Sequence, residues 1–313
     1  MQIREATDKD IPGILEVLKA SLGETSSKKT EEVWRYKHVG NPFGRSLVLL
    51  AVENNEIIGI RAFMSWKWQK INVDYLAYRA VDTATHPSHQ GKGVFKKLTL
   101  AAIDIAKSKG VHLIFNTPNV KSKPGYIKMG WEEVGKLNIR VVLNNPFKWS
   151  FDSPDKAYET NLKSDDSQFL NLISEYNSIM GERQRFFTPK SLSYLLWRYE
   201  NNPLQGYEIL GDEDFYMAAY VKKHKYFKEL RVTDQIFTTK LGRSKVMKTI
   251  NTLSIKHGTQ IVTASNDLNS NFGFSGNFGP VLTLKNLNLN IEFHKKLLQI
   301  NNWNYSLGDL ELF

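Results

Sequence analysis

The chain has 313 residues, of which 41% are hydrophobic and 24% charged, a composition typical of soluble globular proteins. It contains no cysteine, which excludes disulfides, a thiolate nucleophile and cysteine-ligated zinc. The formal charge is +10, and most of it lies in the first 150 residues, with 23 Lys and Arg against 14 Asp and Glu. This excess indicates an anionic partner, either a small phosphate-bearing ligand or a nucleic acid. Because the lysines are scattered among acidic residues and no Arg-rich block occurs, the small ligand is favoured.

Apolar periodicity predicts a mixed α/β pattern in the first half. The predicted elements are, in chain order, a strand at 2–7, helices at 9–22 and 29–39, strands at 46–54, 56–69 and 73–86, a helix at 94–109, a strand at 111–116, a helix at 122–129 and a strand at 131–143. Asp8 is the predicted N-cap of the first helix. No apolar run reaches transmembrane length and the N-terminus has no signal-peptide core, so a cytoplasmic protein is expected.

The loop after the strand at 73–86 reads Gln90-Gly91-Lys92-Gly93 and opens the helix at 94–109. A glycine-rich turn at a helix N-terminus brings several backbone N–H groups to one point, where an anionic phosphate group can be held. The two glycines allow the backbone to approach the anion closely, because they carry no Cβ. The loop is therefore a predicted phosphate-binding site.

The second half repeats the order of the first half weakly. The triplet Trp34-Arg35-Tyr36 reappears as Trp197-Arg198-Tyr199, and residues 240–262 parallel residues 89–115. Because the triplet occurs in both halves, a packing role is favoured for it. These parallels predict a duplicated domain, with a boundary in the stretch 144–166, which is rich in Pro, Asp and Ser.

The predicted domains are residues 1–145 and 146–313. Asp82-Thr83, on the approach to the glycine loop, is matched in sequence to Asp234-Gln235 of the second copy. The second copy lacks the glycine pair, so we expect only the first domain to bind a phosphate-bearing ligand. The second domain is expected to supply structure and part of a pocket for the other substrate.

The glycine loop and a second motif resemble those of the GNAT (GCN5-related N-acetyltransferase) superfamily. The family's acyl-CoA loop, Q/R-x-x-G-x-G/A, spans Gln90 to Phe95 here, with Phe95 in place of the last glycine or alanine. The second motif, N-x6-Y-x-K-x-G-[FW], is present as Asn119, Tyr126, Lys128, Gly130 and Trp131. The resemblance implies a mixed α/β fold of two tandem GNAT-like domains, each a mostly antiparallel twisted sheet flanked by helices. It also implies acyl-CoA as co-substrate, with no metal.

The resemblance implies the residues of the site as well. Those expected to bind the cofactor are Thr83, Ala84, Thr85, Gln90, Gly91, Lys92, Gly93, Val94, Phe95 and Asn119. Tyr126 is expected to face the leaving sulfur as a catalytic residue. A free tyrosine has a pKa of about 10 and a thiol about 8.5, so complete proton transfer is uphill by roughly 2 kcal/mol. Asp82 is the first candidate for the catalytic base, and His86 and Asp309 are the alternatives.

The expected activity is direct transfer of an acyl group from acyl-CoA to the primary amine of a small molecule, since no covalent carrier is evident. The duplicated layout is similar to bacterial enzymes that N-acylate nucleotide-linked amino sugars, which makes such a sugar the leading acceptor. Two other functions stay open: an aminoacyl-tRNA-dependent transferase of similar fold, which the basic first half would suit, and a non-catalytic acyl-CoA sensor. No membrane partner is expected, nucleic acid is disfavoured, and a homodimer is the assembly considered.

Overall fold

Two β-sheets organise the chain, and the computed structural model describes residues 1–24, 28–151, 156–161, 167–265 and 273–310. The strands are β1 (Gln2–Glu5), β2 (Leu47–Glu53), β3 (Glu56–Lys70), β4 (Val73–Thr85), β5 (Leu113–Asn116), β6 (Glu132–Lys136), β7 (Ile139–Leu143), β8 (Phe186–Phe187), β9 (Glu208–Gly211), β10 (Phe215–Lys223), β11 (Lys228–Phe237), β12 (Ile261–Ser265), β13 (Phe274–Gly276), β14 (Val281–Asn286) and β15 (Trp303–Asn304). Most neighbouring strands run antiparallel, which confirms the predicted fold class.

Helices cover the sheets. They are α1 (Ile11–Leu22), α2 (Glu31–His38), α3 (Val94–Ser108), α4 (Lys123–Lys128), α5 (Ser167–Glu182), α6 (Leu192–Leu195), α7 (Lys240–His257), α8 (Ile291–Leu297) and α9 (Leu307–Leu310). Within the described ranges no helix has the length and apolarity needed to cross a bilayer. Short 3-10 turns lie at Asp8–Asp10, Pro87–His89, Pro146–Lys148 and Ile300–Asn302, and Leu196–Glu200 is a π-helical turn.

The first helix begins differently from the prediction. Asp8 lies inside the 3-10 turn that precedes α1, and Thr7 is the residue that caps this turn. The Thr7 backbone N–H and side-chain hydroxyl both donate to Asp10 Oδ2, at 2.7 and 2.9 Å. The prediction for Asp8 is therefore wrong by one residue, because Thr7 and Asp10 together form a capping box.

The sheets keep the duplicated order but exchange strands across residue 145. The first sheet runs β1-β2-β3-β4-β5-β14-β6, and the second runs β13-β7-β12-β11-β10-β9. The single strand predicted at 131–143 is wrong, because the chain leaves the first sheet after β6 and enters the second as β7. In return, β14 inserts between β5 and β6. The proposed boundary near 145 stays a prediction; part of the stretch 144–166 lies outside the described residues.

Amphipathic helices pack on both faces of the first sheet. Apolar residues of α1, such as Ile14, pack on the face that includes Ile60. The helix α3 packs on the opposite face through Val94 and Leu98. It can approach β3 closely because residue 59 is glycine, where a Cβ would lie 2.6 Å from Val94 Cγ1. This close packing fixes the start of α3 against the sheet.

One continuous apolar core joins the two sheets. The face of the first sheet under α1 shares its cluster with Tyr216 and Ile236 of the second sheet. The Trp197 ring stacks on Tyr36 with centroids 5.3 Å apart, and its indole N–H donates to the Tyr36 carbonyl at 2.9 Å. Tyr36 and Trp197 therefore pack the two halves together, as predicted for the triplets, whereas the Arg35 side chain is partly exposed and pairs with Asp8 and Glu31.

Candidate functional site

The glycine loop ends in an uncapped helix. Gly91 and Gly93 have φ of +77° and +76°, the left-handed region that glycine enters most readily. Gly93 is the N-cap of α3, and no side chain accepts a hydrogen bond there. A Cβ at either glycine would meet no atom of the described residues within 4 Å, so the loop faces open space among them. The first-turn amides of α3 are thus available to an external anion.

The strands on either side of α3 diverge next to this loop. The parallel strands β4 and β5 pair only from Ala77–Arg79 to Leu113–Phe115, and then separate. A cavity of about 930 Å³ opens along the remainder of β4 and the start of α3. Its lining includes eleven of the twelve predicted site residues: Asp82, Thr83, Ala84, Thr85, Gln90, Gly91, Gly93, Val94, Phe95, Asn119 and Tyr126. Lys92 is exposed in the loop and lies outside this lining.

Asp82 is the extra residue of a β-bulge in β4. Arg61 of β3 pairs with Thr83 and Ala62 pairs with Val81, so Asp82 has no partner in the ladder and takes a φ of +37°. A bulge of this kind re-aims a side chain next to a site. It turns the Asp82 carboxylate toward α2 of the same half of the chain.

The second sheet has a bulge in the equivalent strand, β11. There Ala218 pairs with Asp234 and Ala219 with Val232, so the extra residue is Thr233. The bulge of Asp82 therefore corresponds to Thr233, and the sequence match of Asp82 to Asp234 is wrong by one residue. The sequence alone could not show this, because a bulge shifts register without any insertion in the pattern of apolar residues.

Two side chains of α2, Lys37 and His38, hold the Asp82 carboxylate. Lys37 forms an ion pair with it, and His38 Nε2 lies 3.0 Å from Asp82 Oδ2. Burial alone would raise the pKa of Asp82, but Lys37 and His38 hold the pKa of this carboxyl well below its usual range. Burial lowers the pKa of His38, which is therefore neutral; its Nδ1 lies 2.8 Å from Ser46 Oγ. Asp82 is thus a carboxylate anchored to α2, and sequence reasoning missed both anchors.

Tyr126 is positioned by a buried arginine that sequence reasoning also missed. Arg61 of β3 is fully buried, and its Nη1 donates to Tyr126 Oη at 2.7 Å and to Thr83 Oγ1. Within the described part of the chain, Arg61 pairs with no carboxylate, and its Nε and Nη2 have no hydrogen-bond partner. Its guanidinium carbon instead lies 4.6 Å from the centre of the Phe63 ring and 5.1 Å from that of Tyr126. A charged residue inside the apolar strand at 56–69 was the available signal.

Three other predicted site residues, Asn119, Gln90 and Phe95, contact neighbouring residues and so shape the wall of the cavity. Asn119 Oδ1 accepts from the Ser122 N–H at 2.9 Å and so fixes the turn into α4, which carries Tyr126. Gln90 Nε2 donates to the Thr85 carbonyl at 3.3 Å and ties the loop to the end of β4. The Phe95 ring packs edge-on against Tyr126, with centroids 5.8 Å apart, so its bulk lies against α4 and away from the glycines.

Neither alternative base lines this cavity. His86 Nδ1 lies 2.7 Å from Ser88 Oγ, within the turn that follows β4. Asp309 is buried between the sheets, where Tyr194 Oη donates to Asp309 Oδ1 at 2.9 Å. Among the described residues that line the cavity, Asp82 is the one carboxylate.

Known proteins match this architecture. Residues 2–134 match the family model of the acetyltransferase (GNAT) domain. The chain superposes on a probable N-acyltransferase from Enterococcus faecalis with a TM-score of 0.67 at 11% identity, over 92% of this chain and 73% of the other. It superposes on a GCN5-related N-acetyltransferase from Anabaena variabilis with a TM-score of 0.64 at 12% identity, over 92% and 73% of the two chains.

A GCN5-related N-acetyltransferase from Kribbella flavida is similar too, with a TM-score of 0.58 at 14% identity, over 92% of this chain and 71% of the other. At these identities the structural likeness establishes the fold alone. No curated protein matches the chain significantly in sequence. Residues 2–134 thus match the GNAT acetyltransferase domain in sequence, and the chain as a whole shares its fold with these N-acyltransferase structures.

Proposed function

We propose that this chain transfers an acyl group from coenzyme A directly to the primary amine of a small molecule. One observation carries the proposal: a single cavity joins the uncapped N-terminus of α3 to Tyr126 and Asp82. A diphosphate at the helix, a thioester along the diverging strands and an amine near Asp82 would then lie in one continuous space.

The loop residues fit a diphosphate. Open space lies where Cβ atoms would stand at Gly91 and Gly93, and the helix N-terminus carries a partial positive charge. One charge at an exposed helix N-terminus gains only about 0.3–1 kcal/mol, so several N–H groups must act together. Lys96 and Lys121 also line the cavity and add attraction for phosphate groups.

The strand β4 fits the amide-bearing arm of the cofactor. Thr83, Ala84 and Thr85 pair with β3 on one side, but β5 has already separated from their other side. Peptide groups that point into this gap can hydrogen-bond an extended, amide-containing chain as a missing strand would. A main-chain N–H in the same gap can polarise the thioester carbonyl.

Tyr126 serves the leaving group in this proposal. Because Arg61 donates a hydrogen bond to the phenol oxygen, the phenol proton is free to point toward the cavity. When coenzyme A is bound, its departing thiolate supplies the acceptor for that proton. Arg61 does not line the cavity, so its role is to position Tyr126 through this hydrogen bond.

Asp82 is the candidate base, directly or through water. Its low pKa makes it a weak base, so the acceptor amine must lose its proton easily. Lys29 and Lys37 line the same end of the cavity, and their positive charge disfavours a protonated amine beside them. The same charge favours an acceptor that carries an anionic group elsewhere, for which a nucleotide-linked amino sugar is a suitable candidate.

Asp82→Asn is expected to reduce both turnover and stability. Turnover should fall by about 10²-fold or more, the usual loss for a general base. The free energy of unfolding at pH 7 should fall by roughly 3 kcal/mol, because the Lys37 ammonium loses its buried partner. Since the folded pKa of Asp82 is lowered, its contribution is complete above the unfolded value of about 3.9 and is lost as the pH falls further.

Urea unfolding at pH 7 and pH 3, with steady-state kinetics, measures these effects. Asp74→Asn is the matched control, since Asp74 lies on the same strand in an exposed ion pair with Lys67 and should change stability by about 1 kcal/mol at most. If a folded Asp82→Asn protein turned over substrate as the wild type does, Asp82 would have no catalytic role and would serve only as the ion-pair partner of Lys37.

The proposed function is tested by thiol release. Acetyl-CoA and longer acyl-CoA donors are each offered with a panel of amines that includes nucleotide-linked amino sugars, and free coenzyme A is followed with a thiol reagent. Release that requires both the protein and one class of amine supports the proposal. If calorimetry shows coenzyme A binding while every pair leaves the thioester intact, the chain is an acyl-CoA sensor instead.

A further inference from the structure

A second cavity occupies the equivalent place in the second sheet. The parallel strands β11 and β12 pair only from Glu229–Arg231 to Ile261–Thr263 and then diverge, as β4 and β5 do in the first sheet. A cavity of about 420 Å³ lies where they separate, next to the start of α7 and the end of α5. The gap between strands has thus been kept in both sheets.

The helix next to this second cavity, α7, lacks the open N-terminus that fits a diphosphate at α3. Thr239 is the N-cap of α7, and its Oγ1 accepts from the Gly242 N–H at 3.0 Å, so a side chain already uses this helix terminus. Gly242 is buried so tightly that a Cβ would clash with the Asp214 carbonyl oxygen. This cavity therefore fits a ligand that is smaller than coenzyme A and that side chains, not helix amides, would hold.

Three arginines stand around the cavity. Arg183 and Arg185 follow α5, and Arg243 lies in the first turn of α7. None of the three side chains forms an ion pair or hydrogen bond with any residue in the described ranges. Arginine guanidinium groups bind carboxylates and phosphates through paired N–H donors. These three arginines, which form the rim of the cavity, therefore fit an anionic group.

A buried amide inside the cavity lacks partners. Gln235 of β11 is 8% exposed and lines the cavity, yet neither its Nε2 nor its Oε1 has a hydrogen-bond partner among the residues that the structure describes. Buried polar groups without partners are rare, because desolvation is not compensated. The nearby Lys190 ammonium is satisfied, at 2.7 Å from Asp234 Oδ2 and 3.3 Å from Asp309 Oδ1. Among the described residues of this cavity, the Gln235 amide and the three arginines therefore still lack partners.

We propose that this second cavity binds a small organic anion that carries a carboxylate or phosphate group. The anionic group pairs with the arginines of the rim, and polar atoms of the ligand body satisfy the Gln235 amide. The volume suits a metabolite-sized molecule, within the usual range for ligand pockets. The site is separate from the glycine loop, and its existence does not depend on the transferase proposal.

Calorimetric titration with two probes, inorganic phosphate and malonate, tests this site. Wild-type protein is first saturated with coenzyme A to occupy the glycine loop, and Gly93→Asp protein provides a second background without a functional loop. We expect saturable binding of at least one probe in both backgrounds, weakened about tenfold or more by Arg243→Gln. Lys248→Gln, which removes an exposed cation from the same helix, is the matched control and should bind as wild type.

Gln235→Leu provides an independent readout. It should weaken malonate binding about tenfold or more, because malonate has polar atoms beyond the group that pairs with the arginines. It should also raise the melting temperature of the ligand-free protein, because an unsatisfied buried amide is replaced by an apolar group of similar size. Binding of phosphate alone or malonate alone supports the site and identifies its preferred anion. Absence of saturable binding in both backgrounds, or equal binding by the Arg243 and Lys248 variants, overturns the proposal.

Discussion

Gly93→Asp should weaken coenzyme A binding by about a hundredfold, the loss expected when two charge-assisted hydrogen bonds are removed. The new carboxylate would stand at the uncapped start of α3, where it repels phosphate groups and competes for the amides that hold them. The left-handed φ of +76° makes any side chain here unfavourable, by about 1–2 kcal/mol. Calorimetry with coenzyme A measures the first effect, and thermal unfolding measures the second.

Gly110→Asp separates the two effects. Gly110 follows the other end of α3, has a φ of +74° and, like Gly93, would place its Cβ in open space. The same substitution there should cost similar stability and leave coenzyme A affinity unchanged. If both variants bind coenzyme A as tightly as the wild type does, the helix terminus is not the phosphate site and the proposed function loses its support.

Tyr126→Phe should lower turnover by about 10²- to 10³-fold and leave coenzyme A affinity within about threefold of wild type. The phenol oxygen is lost, but the ring still packs against Trp131 and Phe95. Tyr78→Phe is the matched control, because Tyr78 lies on β4 beside Phe63 and lines a different cavity. It should turn over as wild type. Equal turnover of the Tyr126 variant and the wild type would give Tyr126 a packing role only.

Arg61 should act through Tyr126, which a double-mutant cycle reveals. Arg61→Met removes the hydrogen bond to the phenol and an unpaired buried charge, so turnover falls while stability is retained or rises. In the Tyr126→Phe background the same substitution should have little further effect on turnover, since the two residues work as a unit. Independent, additive losses would contradict the positioning role.

Local patterns in the sequence were sufficient to predict the glycine loop and the helices and strands around it. The loop, α3 and the strand–helix–strand order depend on local features, namely apolar periodicity and two glycines, which can be read directly from a sequence. The duplicated order was visible for the same reason. These features locate the part of the candidate site that lies at the glycine loop.

The remaining parts depend on contacts between distant residues. The partners of Asp82 are Lys37 and His38, which lie on another element more than 40 positions earlier in the chain. The β4 bulge changes register by one residue without a signal in the apolar pattern, so Asp82 was matched to the wrong residue of the second half. The role of Arg61 depends on Tyr126, which lies 65 positions away.

The insertion of β14 between β5 and β6 has a consequence for how the protein is made. Residues 281–286 complete the first sheet, so the N-terminal half cannot reach its final hydrogen bonding while most of the second half is still on the ribosome. Until then β5, beside the cavity at the glycine loop, has an unpaired edge that can pair with other chains. Efficient expression should therefore depend on rapid completion of synthesis or on chaperones that shield this edge.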